Sequence, residues 1–134
     1  MRSIGSGGKV RLMLITLKSI LPELQKSVPA FVMDPDWLEM DGAYLIFGDF
    51  ARFICSEAEV LQYVSSEEEA SRLSHVKLSV NFLERALKDG DREIHDLVLD
   101  CLESLVSCVW IAQIKRYFGP EISALWMRHL SRFD

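Results

Sequence analysis

No stretch of about 18 uncharged apolar residues occurs in the sequence, so a membrane-spanning helix is not expected. No glycine-rich loop follows a strand-like run, which removes the usual phosphate cradle of nucleotide-binding folds. Alternating apolar and polar residues, the mark of half-buried strands, are also missing. "VRLMLITL" could form one strand but has no second run to pair with. Cysteine is scarce and odd in number: Cys55, Cys101 and Cys108. If Cys101 and Cys108 share a helix they stand about 10 Å apart, too far to bridge. Three such residues without framework spacing read as reduced, buried thiols in a cytoplasmic protein. His75, His95 and His129 lack the spacing of a zinc helix, so no metal and no cofactor is expected.

What is present is ordinary globular composition: 134 residues, 49% hydrophobic and 26% charged. That length suits one domain with a core that needs no staples. Arg2, Lys9 and Arg11 precede the apolar run "LMLITLKSIL", but Lys18 interrupts it and Pro22 and Glu23 stand where a signal peptide needs small residues. Residues 1–9, with "GSGG", are read as a flexible leader or expression remnant, and 10–134 as a single helical domain.

The helical period recurs along the chain. Val10, Leu14, Leu17, Leu21, Leu24 and Val28 step by four and three, with a kink or break expected at Pro22. Pro29 and Pro35 bracket an apparent loop, "PAFVMDPDWLEMDG". Helix resumes near Ala43 and directs Leu45, Ile46, Phe50, Phe53 and Ile54 inward. Ser65 and Ser66, each three residues before a glutamate, form a capping-box start. Leu73, Val76, Val80, Leu83 and Leu87 then step 3, 4, 3, 4, with Leu78 and Phe82 opposite, which predicts a central helix closed by Lys88 and Gly90. Asp91 caps the next helix, whose apolar face runs from Ile94 to Leu105. Gly119-Pro120 stops one segment and starts the last, which places His129 at a core edge. The expected fold is all-α: a compact bundle of five or six helices whose central hairpin, Ser66 to Glu103, resembles one unit of a helical repeat.

Charge is unevenly spread. Residues 34–103 hold 17 acidic and 6 basic side chains, and the flanks hold 3 and 9. An acidic body repels nucleic acid and favours a basic protein partner. Asp34, Asp36, Glu39 and Asp41 fail the calcium-loop pattern, because its glycine and final glutamate positions hold Glu39 and Leu45. Trp37 among those carboxylates has the composition of a binding hot spot. A second candidate surface is the stripe Glu93, Asp96, Asp100 and Glu103, placed opposite the apolar face of its helix.

"YLIFGDFARFI" (44–54), "VNFLERALKDGDREIHDLVLDCLESL" (80–105) and "IKRYFGPEI" (114–122) resemble a family of small, acidic, all-helical bacterial proteins of the immunity-protein type. The resemblance spans about half the chain and its motifs are structural: the glycine allows close helix contact and the aromatics fill the core. It assigns no residue a role. It implies an immunity-type inhibitor that neutralises a toxin. The acidic body makes a basic toxin domain the expected partner, and the cysteine usage and lack of a catalytic pattern make a cytoplasmic protein that is not an enzyme the expectation. The alternatives are a helical adaptor or self-associating module, including a homodimer, and a hydrolase or transferase with titratable groups converging in an apolar pocket.

Overall fold

A computed structural model describes residues 14–134, which fold as seven α-helices and a terminal 3-10 turn. The helices are α1 (Ile20–Ser27), α2 (Pro35–Glu39), α3 (Ala43–Val60), α4 (Ser66–Asp89), α5 (Arg92–Leu105), α6 (Ile111–Lys115) and α7 (Pro120–His129), and the turn is Ser131–Phe133. The only β pairing among the described residues is one parallel bridge, Ile15 with Gly90. No helix among them is long and apolar enough to cross a membrane. Two of the seven helices are five-residue turns, too short to show a period, and they carry the count above the five or six expected.

The start of the chain differs from the periodic reading. Val10 and the leader lie outside the described residues. Leu14 is exposed, and Ile15 is buried because its N–H donates to the Asp89 carbonyl at 2.8 Å while its carbonyl accepts from Asp91 at 3.1 Å. The helix begins only at Ile20, so Pro22 falls in the first turn, where a missing N–H is no loss, and no kink follows.

The segment from Pro29 to Gly42 is not wholly irregular. Asp34 accepts from the Asp36 N–H at 2.8 Å and Pro35 occupies the first helical position, so α2 forms and carries Trp37. Asp41 closes it at φ 53°, a left-handed conformation that aspartate tolerates, and the Gly42 N–H bonds to the Trp37 carbonyl.

Helix α3 packs chiefly on α5 and next on α4. It buries Ile46, Phe47, Phe50 and Ile54, and Phe31, Phe50 and Phe82 add ring contacts at 5.1–6.2 Å. Helix α4 touches α1, α3, α5 and α7, as its two apolar faces imply, although Leu78 is exposed and Leu73 and Phe53 are only partly buried. Its capping serine makes no side-chain bond. The Glu68 and Glu69 N–H groups go to the Ser65 carbonyl instead, and Glu67, Glu68 and Glu69 complement the helix dipole. Asp91 caps α5 as expected, accepting from Ile94 at 3.1 Å.

Among the described residues the glycines work by proximity most sharply at Gly90 and Gly119, and not at Gly48. A Cβ on Gly48 would meet nothing within 4 Å, whereas one on Gly90 would collide with the Ala86 carbonyl and Ile94. At Gly119 it would strike the Glu84 carboxylate, which caps α7 from a distance: Oε2 accepts from Glu121 N–H at 2.6 Å and Oε1 from Ile122 N–H at 3.0 Å. The far end is tied by Asp134, which accepts from Lys115 Nζ and Trp126 Nε1. These bonds hold its carboxyl below the usual range. His129 is exposed, not at a core edge.

The cysteines overturn one expectation. Cys55 on α3 and Cys108 between α5 and α6 form a disulfide across 53 residues of sequence. Folding carries two distant thiols to 6.0 Å between Cα atoms, which local spacing does not reveal. Only Cys101 is free and buried. Desolvation, with Asp100 adding to it, pushes its thiol well above the ordinary range, so it is inert. Two of the three thiols are thus not reduced, and cysteine usage gives no support to a cytoplasmic location.

Candidate interaction surface

The start of α3 is linked to both candidate acidic segments: it follows α2 directly in the chain, and its Tyr44 feels carboxylates of α5. Tyr44 and Leu45 follow two and three residues after Gly42, and both are about half exposed. Leu45 lies against the α2 segment: the space beside Gly42 is closed by the Trp37 carbonyl and the Leu45 side chain. The Tyr44 hydroxyl is held protonated above its usual range, first by partial desolvation and then by the charges of Asp96, Asp100 and Glu93 on α5. The close packing of α3 on α5 thus sets an exposed aromatic ring beside three carboxylates.

The sequence-proposed residues divide accordingly. Asp36, Glu39 and Asp41 are exposed on or just after α2, while Asp34 is half-buried and engaged as the cap. Trp37 is partly buried and packs against the core, so it is more a prop than a free anchor. Glu93 and Asp96 are exposed and Asp100 half-exposed beside Tyr44. Glu103, also exposed, is not among the carboxylates that act on Tyr44. None of Asp36, Glu39, Asp41, Glu93, Asp96, Asp100 or Glu103 is in an ion pair among the described residues. Leu38, Met40, Tyr44 and Leu45 supply exposed apolar area within this acidic field.

Tyr44 and Leu45 are the members that sequence reasoning missed, and Leu45, expected to face inward, is 48% exposed instead. The available signal was their register: on α3 the inward positions Ile46, Phe47, Phe50 and Ile54 leave 44 and 45 off the buried stripe. Among the described residues, no group of three histidine, cysteine or acidic side chains is arranged to hold a metal ion. The densest titratable cluster is elsewhere, where buried Glu57 bonds Arg72 at 2.8 Å and His75 Nδ1.

No family model, curated protein or solved structure matches the chain.

Proposed function

We propose that this chain is a non-catalytic, immunity-type inhibitor that docks a basic toxin domain through the surface around Tyr44. The observation that carries the reading is the convergence of Tyr44 with Glu93, Asp96 and Asp100, next to the exposed apolar residues of 38–45. An aromatic and aliphatic centre within an acidic rim matches a partner with basic side chains around an apolar anchor. A toxin that acts on nucleic acid has a basic cleft, and unpaired carboxylates speed its capture by electrostatic steering. Four carboxylates along one face of α5 repel one another slightly, a cost that a docking face returns on binding.

The test is the product of the adjacent gene. If it is a toxin domain, equimolar addition of this chain should abolish its activity, and Tyr44→Ala with Asp96→Lys should restore that activity. Full inhibition by the doubly substituted chain would sink the reading. In the self-association alternative, the chain would sediment as a concentration-dependent dimer without any partner.

A further inference from the structure

Away from the acidic surface, the end of α3, the first half of α4 and α6 with its exit enclose a cleft of about 310 Å³. That is near the lower end of volumes that hold small molecules, roughly 300–1,000 Å³. Most of its accessible wall is polar; of its apolar members Leu61, Leu73, Val76 and Ile114, only Leu61 and Leu73 present surface. Leu73 is the informative member: its place on the stripe that buries Val76, Val80 and Leu83 assigns it to the core, yet it is only half-buried beside the cleft.

The rim carries two opposite charges on different walls, Glu69 from α4 and Arg116 just after α6. Neither is in an ion pair among the described residues. Gln62 donates its amide to the Ala58 carbonyl at 3.0 Å, which orients its oxygen as a further acceptor at the rim. Two cross-ties brace these walls. The Glu57 bonds to Arg72 and His75 fasten α3 to α4, and the Cys55–Cys108 bridge fastens α3 to the approach of α6. Two opposite charges beside the part-exposed Leu61 and Leu73, between walls held by links outside the cleft, make a braced site.

We propose that this cleft binds a small zwitterion with an apolar side chain, of the free α-amino-acid class. Its carboxylate would pair with Arg116, its ammonium with Glu69, and its side chain would cover Leu61 and Leu73. A simple anion would be opposed by Glu69 and a simple cation by Arg116, so a ligand carrying both charges satisfies the rim best. This occupant is a small molecule, and its site is separate from the Tyr44 surface.

The test is a titration followed by backbone amide NMR shifts, with three probes: phenylalanine, its carboxamide and its N-acetyl derivative. Phenylalanine should shift amides of residues 61–62, 69–76 and 113–117. Each analogue, lacking one charge, should bind about tenfold more weakly. In Arg116→Gln the preference for phenylalanine over the carboxamide should vanish, and in Glu69→Gln the preference over the N-acetyl form should vanish. Both side chains are exposed, so the thermal midpoint of each variant should stay at the parent value and report an intact fold. Absence of shifts at about 10 mM phenylalanine, weaker than any affinity a built site should show, overturns the proposal. Equal binding of all three probes, or preferences that survive both substitutions, overturns it as well.

Discussion

Glu57 stands at a core position of α3, seven residues on from Phe50 and three from Ile54, in step with the buried stripe. A carboxylate there is tolerated only if its oxygens are partnered. Oε2 accepts from Arg72 and Oε1 meets His75, one turn apart on α4. The pair is lopsided: the Glu57 side chain is 7% exposed and that of Arg72 35%. Glu57→Gln therefore releases a guanidinium that can turn to water, and should cost about 1–2 kcal/mol in urea melts. Arg72→Ala leaves the buried charge with His75 alone and should cost about 3 kcal/mol. The reverse order would show that Glu57 is not the member that needs rescue. A glutamate in a core register was a legible signal of this arrangement. Its partners were not, because they lie 15 and 18 residues away across a turn. Gly119 is similar: the helix start at Pro120 is local information, whereas capping by Glu84, 37 residues before Glu121, is tertiary.

Among the elements, helices read well where their signals lie within four residues. Asp91, Gly119-Pro120 and the Ser65 start all fall where local chemistry puts them. The stripe on α4 is mostly right, and Leu83, 1% exposed, sits at its centre. Leu83→Ala should cost about 2–5 kcal/mol in denaturant melts, from lost burial and the cavity left behind. A loss below about 0.5 kcal/mol would place the residue outside a packed core. Helix α2 was missed although Asp34-Pro35 announces it, because the density of prolines and carboxylates reads as loop. The disulfide was beyond reach, since pairing Cys55 with Cys108 requires knowing that α3 and the α5–α6 turn meet. Closing a loop of 53 residues restricts the unfolded chain by about 4 kcal/mol at the entropic limit. Reduction, or Cys55→Ser, should therefore lower the thermal midpoint of the folded chain clearly. Equal melts with and without a dithiol would show that the bridge adds nothing.

At the scale of the whole molecule, charge is divided between an acidic body and basic flanks, and in the acidic part the exposed Tyr44 lies in the field of the α5 carboxylates. The two patches were each legible as composition. The link between Tyr44 and the α5 stripe was not, because it depends on α3 packing against α5. This changes which substitution is diagnostic. Trp37 packs partly on the core, so its removal mixes folding with binding, whereas Tyr44 is 47% exposed and separates them. Exposed charges are screened beyond about 8 Å at physiological ionic strength, so association with a basic partner should slow as salt rises. Asp96→Lys with Asp100→Lys should slow association further and flatten its salt dependence, while leaving the thermal midpoint near that of the parent. Tyr44→Ala should act on the other rate, speeding dissociation, because it removes an anchor that becomes desolvated only in the complex. Rates measured for the parent and both variants at two salt concentrations distinguish these effects. If binding is indifferent to salt and to both changes, the partner contacts another face, and Arg128 and Arg132 at the basic C-terminal end become the residues to reverse.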